Sequence, residues 1–351
     1  MATSALRTVR RATIWVVAAL VVIAGGFAGS LIYPGTPGAA RSLKFQGYIP
    51  LPTGAGLNVL DYLTVNGADL FVTNVSSGSV YKITLRGAAL PSAADITVLA
   101  GPPSPHGVAV DPTSGLAFVT RSEANTVDVF DPATMRLVKR IPVADDADGI
   151  FYDPADRLIY AASGAVKVAT VIDPASQTKV AMIALGGAPE FAAFDAETGL
   201  MYQNLKDANS MVAVDLAKRS VTQREPLDLC LGPSGMAIDP GRRRLFVACS
   251  GNARLVIFSL DSHRVTRSLP IGGGPDSVAY DAGLHRIYTT GKSGVLSVIQ
   301  QDGPDTYRRL DQIRLHYGAH TLAVDPATHR LYVGYASLVV PARLAVFTPV
   351  N

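Results

Sequence analysis

Short apolar runs of four to seven residues alternate with polar turns along nearly the whole chain after residue 44, and the alternation repeats. The phrase AVDPTSGLAFVT (109–120) returns as FYDPADRLIYAA (151–162), AFDAETGLMYQN (193–204), AIDPGRRRLFVA (237–248), AYDAGLHRIYTT (279–290) and AVDPATHRLYVG (323–334). Its aspartates, Asp111, Asp153, Asp195, Asp239, Asp281 and Asp325, are spaced by 42, 42, 44, 42 and 44 residues. An aromatic follows each by seven: Phe118, Tyr160, Tyr202, Phe246, Tyr288 and Tyr332. LTVNGADLFVTN (63–74), with Asn66 and Phe71, is a seventh, degenerate copy.

An apolar run, an Asp-centred turn and a second run with an aromatic read as a β-hairpin. Third strands follow (Val127–Phe130, Ala169–Ile172, Met211–Val214, Leu255–Phe258, Val295–Ile299), and then fourth strands such as Leu137–Val143 and Lys179–Leu185. Four strands every 42–44 residues are the signature of a propeller blade. The last copy ends at Leu344–Phe347 with no chain left for a fourth strand, while Phe45–Leu51 is unassigned before the first copy. The expectation is an all-β, seven-bladed β-propeller over residues 45–351, its ring closed by the N-terminal strand, since closure protects sheet edges.

The second strands, with FVTN (71–74), FVTR (118–121) and YVGY (332–335), together with DYLTV (61–65) and HGVAVDP (106–112), resemble the YVTN β-propeller repeat family, in its bacterial periplasmic branch. The resemblance covers about residues 45–350 and implies the fold; that family's propeller relatives include lactonases, a streptogramin lyase, haem-binding reductase domains and surface-layer proteins. The sole tryptophan, Trp15, lies outside the repeats, so the Trp-rich blades of quinoprotein dehydrogenases are absent.

Ile14–Tyr33 is uncharged and long enough to span a bilayer, and Arg7, Arg10 and Arg11 precede it. Residues 1–33 are therefore expected to be a cytoplasmic tip and a transmembrane signal anchor, 34–44 a Pro/Gly linker, and the propeller to lie on the periplasmic or extracellular side. A cleaved signal with a site near Ala28 or Ala40, giving a secreted protein, is the alternative. Composition then changes one conclusion. The formal charge of +3 suggests nucleic acid, yet without those three arginines the basic and acidic residues balance at 28 each. No basic stripe remains, and nucleic acid is excluded as a partner. Cys230 and Cys249, the only cysteines, are expected to pair outside the cytoplasm.

Candidate chemistry lies five residues before each repeat Asp (or Asn66), where inner strands open on one face. The series is Asp61, His106, Asp148, Glu190, Ser234, Asp276 and His320. Imidazole and carboxylate together suit a divalent metal ion, and His106, His320 and Asp61 of adjoining blades are the expected ligands. A wet polar rim is the plain alternative. Loops on that face add Asn74, Arg121, Asn125, Asn204, Lys206, Asn252 and Lys292; His316 lies near the mouth but off the register; His263, His285 and His329 read as solvated. There is no Gly-x-Ser-x-Gly, no His-Glu-x-x-His and no phosphate loop at Gly272–Gly274. Two functions stay open. One is a membrane-tethered module binding a small molecule or a periplasmic protein. The other is a metal-assisted, lactonase-like hydrolase or lyase.

Overall fold

The computed structural model describes residues 36–53, 58–335 and 341–350, and within them the repeats become seven four-stranded antiparallel sheets. Blade 1 is Leu60–Asn66, Asp69–Asn74, Ser79–Thr84 and Ile96–Leu99. Blades 2 to 6 follow in order, with inner strands Pro105–Val110, Ala147–Asp153, Pro189–Asp195, Pro233–Asp239 and Pro275–Asp281. Blade 7 takes Leu322–Val324, Leu331–Tyr335 and Arg343–Pro349 from the C-terminus and Leu43–Pro50 from the N-terminus. Phe45 pairs with Phe347 and Ile49 with Leu344, so the ring closes as expected. Asp311 of blade 6 anchors the entry of that strand by accepting the Arg41 and Ser42 N–H groups at 3.0 and 2.7 Å.

Two residues of the repeat phrase, the Asp and the aromatic, have clear mechanical tasks. The Asp carboxylates accept N–H groups two or three residues on, as Asp111 does from Thr113 and Ser114 and Asp281 from Gly283 and Leu284. That is the Asx-type turn that closes a hairpin. The aromatics are all buried, and each packs into the layer shared with the next blade: Phe71 between blades 1 and 2, Phe118 between 2 and 3, and so on to Tyr332 between 7 and 1. Among the described residues the core is thus seven apolar layers, one per blade junction.

The three far-face histidines are not simply solvated. His263 Nδ1 lies 2.9 Å from Glu225 of blade 4, His285 Nδ1 2.7 Å from Arg242 of blade 5, and His329 Nδ1 2.9 Å from Asp281 of blade 6. Each reaches the blade before its own. Outer strands such as Arg136–Pro142 and Thr306–Arg314 carry charge on their free edges, which discourages edge pairing. Cys230 and Cys249 form a disulfide that ties the loop entering blade 5 to the end of its second strand. The expected signal anchor lies outside the described residues; among the described residues no helix is long and apolar enough to cross a membrane.

Candidate functional site at the channel mouth

Each inner strand of blades 1 to 6 breaks register with its partner at the ring position, for example between Leu60 and Leu63, Pro105 and Val108, and Ala147 and Ile150. A bulge leaves its extra residue unpaired and re-aims that side chain. Through these bulges Asp61, His106 and Asp148, from consecutive blades, are brought together. One ligand atom from each lies within 4.8 Å of the other two. His106 Nδ1 is 2.5 Å from Asp61 Oδ2 and 3.2 Å from Asp148 Oδ1, and His106 Nε2 is 2.9 Å from Ser122 Oγ.

Glu190 of blade 4 pairs with Lys206 Nζ at 2.7 Å. The phenol of Tyr62 feels the negative charge of Asp148, Asp61, Glu190 and Asp276 together. Tyr62 stacks on Phe191, centroids 4.7 Å apart and planes 22° apart. Their blades stand three apart in a ring of seven, so this stack crosses the channel. Below it is a cavity of about 400 Å³, walled mainly by apolar groups including Val65, Val108, Ile150, Phe194 and Met201. The site is thus an acidic bowl with an aromatic floor over an apolar chamber.

Its electrostatics are strained. Burial pushes the Asp148 carboxyl up, the Asp61 charge adds to this against the pull of His106, and the result is about 7. The Oδ1 atom of Asp148 is out of solvent and receives no hydrogen bond. Burial works against the His106 cation, but the hydrogen bond to Asp61 and the charges of Asp148 and Asp61 outweigh it and raise its pKa. Glu190 is raised by burial, which Lys206 only partly offsets. Burial and the four carboxylates hold the Tyr62 phenol well above its ordinary value, so it stays a neutral donor.

Two ring members stand elsewhere. His320 precedes the inner strand of blade 7, which begins only at Leu322, and its Nδ1 lies 2.7 Å from Gly318 O. It is not among the three grouped residues; Asp148 takes the place expected for it. Ser234 is fully buried and donates to the Ala248 and Pro275 carbonyls, tying blade 5 to blade 6. Most of the expected loop residues are structural too. Asn74 donates to Asn58, Arg121 is buried on Asp128, and Asn204 donates to the Ser234 carbonyl. Asn125 and Asn252 accept loop N–H groups from Asp146 and Leu231, and His316 is buried beside Tyr335. Lys206 pairs with the bowl's Glu190.

Ser122, Tyr62 and Phe191 are not in the expected set, although repeat alignment could have found them. The position after each ring residue reads Tyr62, Gly107, Gly149, Phe191, Gly235, Ser277 and Thr321, so two aromatics stand where the other copies are small. Ser122 holds the same repeat position as Lys206, and each contacts its own blade's ring residue.

No family model matches the chain, and no curated protein is similar enough in sequence to count as a relative. Solved structures share its fold. A chain of the Kuenenia stuttgartiensis hydrazine synthase superposes with a TM-score of 0.70 at 18% identity, covering 84% of this chain and 99% of that one. Virginiamycin B lyase from Staphylococcus aureus, in a catalytically inactive form with quinupristin, gives 0.71 at 14%, covering 88% and 100%. A chain of the mitotic checkpoint complex gives 0.72 at 11%, covering 89% and 94%. At such identities the likeness establishes the propeller alone.

Proposed function

We propose that this chain is an exported, membrane-tethered propeller of the YVTN type. It acts as a binding module at the outer face of the cytoplasmic membrane, and its channel mouth takes a divalent cation through Asp61, His106 and Asp148. The convergence of two carboxylates and one imidazole within 4.8 Å carries the reading. Oxygen and imidazole donors in that mixture suit manganese, iron or zinc. Ser122 Oγ, beside His106 Nε2, then accepts the other ring N–H and fixes the orientation of the ligand imidazole. The disulfide fits an oxidising compartment, and the apolar segment after Arg11 supplies the tether.

Shared fold leaves the use of the ion open to two classes, since similar propellers occur in a lyase and in a multiprotein assembly. The alternative is that the ion assists hydrolysis or elimination on a small molecule seated over Tyr62 and Phe191.

Calorimetric titration of the chelator-treated full chain with Mn²⁺ and Zn²⁺ tests the reading. One ion should bind per chain. Asp148→Asn and His106→Ala should each weaken binding at least about tenfold, the scale of losing one interaction worth ~1.4 kcal/mol. Binding unchanged in both variants sinks the proposal.

A further inference from the structure

We propose that, when no metal ion holds His106, Ser122, His106 and Asp61 form a nucleophilic triad that cleaves neutral or cationic esters at the mouth. This goes beyond the binding-module reading, because it assigns a reaction and a nucleophile that metal binding does not need.

The geometry is that of an activated serine. Ser122 Oγ lies 2.9 Å from His106 Nε2, and His106 Nδ1 lies 2.5 Å from Asp61 Oδ2. Nucleophile, base and orienting acid within hydrogen-bond reach, in that order, are the arrangement by which such triads are recognised on unrelated folds. The tautomer follows from the surroundings. Nδ1 faces two carboxylates, Asp61 and Asp148, so a neutral ring carries its proton there. Nε2 is then an acceptor, and the Ser122 hydroxyl donates to it.

The three groups come from the bulge of blade 1, the bulge of blade 2 and the loop after the second strand of blade 2. Ser122 is held by its N–H on the Ser104 carbonyl at 3.0 Å, and its side chain is half-buried, not sealed.

In the reaction, Ser122 Oγ adds to the ester carbonyl carbon while its proton passes to His106 Nε2. The tetrahedral adduct collapses, the bond to the leaving alcohol oxygen breaks, and that oxygen takes the proton from Nε2. Water then adds to the acyl-serine, giving one proton to Nε2, and Ser122 departs with that proton. The net change is ester plus water to carboxylic acid plus alcohol, with nothing oxidised or reduced. Asp61 positions the ring and stabilises the imidazolium.

The bowl sets the substrate class. The Tyr62 phenol feels the negative charge of Asp148, Asp61, Glu190 and Asp276, and Lys206 offsets only Glu190 directly. An anionic acyl group is repelled. A neutral or cationic one can lie on the Tyr62–Phe191 face.

His106 cannot serve both roles at once. A metal ion on Nδ1 leaves the proton on Nε2, which then donates to Ser122 and cannot accept from it. A bound divalent ion therefore switches the nucleophile off.

The test uses the full chain in chelator with a fluorophosphonate probe, in which the P–F bond breaks, an Oγ–P bond forms and fluoride leaves. The label should map to Ser122 and vanish in Ser122→Ala. Its rate should fall at least about a hundredfold in His106→Gln, well within the loss typical of a triad member. p-Nitrophenyl butyrate should be cleaved at least about tenfold faster than the analogue ending in a carboxylate, and Ser122→Ala should abolish the difference. Should His106→Gln fold poorly, the Ser122→Ala comparison decides alone. Labelling of Ser122 in a chain that binds no metal supports the triad and overturns only the metal reading. Metal binding with Ser122 unlabelled overturns the triad, as does labelling that His106→Gln leaves unchanged.

Discussion

The bowl places two carboxylates on one imidazole nitrogen, and the contact shows in the titration of Asp148 and His106. Asp148 moves from an ordinary 3.8 up to about 7, and His106 moves above 6.5. Both folded-state values are raised, so both groups stabilise the fold when protonated. For Asp148 that stabilisation is complete below 3.8 and disappears as pH rises through about 7. The ion-free chain should therefore melt at lower temperature at pH 8 than at pH 5. Asp148→Asn removes the repulsion from Asp61, so it should raise the melting temperature at pH 8, with the gain shrinking toward pH 4. Thermal melts across that range check this; a variant less stable than wild type at pH 8 contradicts it. A carboxylate that destabilises the empty fold is what a binding site, and not a scaffold, retains. At this scale the sequence was only partly readable. The ring register put Asp61, His106 and Asp148 among its seven positions, because symmetry makes equivalent positions converge, but it took His320 and not Asp148 as the third ligand. It did not separate Ser234 and His320 from that cluster, because packing between blades and the length of one strand are not visible in spacing. It passed over Ser122, which only a comparison of that repeat position across the blades, where Lys206 stands in blade 4, would have raised.

Among elements, the bulges and the closing strand do most to shape the site. The repeat period made strand order and closure legible, because a seven-fold pattern with one missing fourth strand and one spare leading strand has a single economical solution. The bulges were not legible; they appear as an offset between paired strands, which a hydrophobic pattern does not record. Closure should be indispensable. Deleting residues 43–50 exposes Arg343–Pro349 as a bare edge beside apolar Phe347 and Leu344, so the product should aggregate, seen by light scattering. A monomeric, cooperatively melting product would contradict that. The repeat aromatics offer a graded test. Phe118→Ala empties the layer between blades 2 and 3 and should cost about 3–5 kcal/mol in denaturant unfolding. Reduction of Cys230–Cys249, which are 19 residues apart, should cost about 3 kcal/mol and lower the melting temperature by several degrees. No change on reduction would mean that the bond constrains nothing in the unfolded chain.

For the whole molecule, the fold provides seven radial layers, a channel crossed by Tyr62 and Phe191, and one acidic end. Without Arg7, Arg10 and Arg11 the basic and acidic residues balance at 28 each, so what the bowl binds is drawn by its local carboxylates more than by net charge. A tether at the N-terminus would keep that bowl near membrane partners and raise their effective concentration. The divalent cation proposed for Asp61, His106 and Asp148 can be sought directly. Anomalous diffraction from crystals of the chain grown with Mn²⁺ tests it most directly. The account predicts one strong peak within about 2.0–2.4 Å of a carboxylate oxygen of Asp61, one of Asp148, and His106 Nδ1. A peak centred elsewhere, or a mouth without one at saturating Mn²⁺, would contradict it.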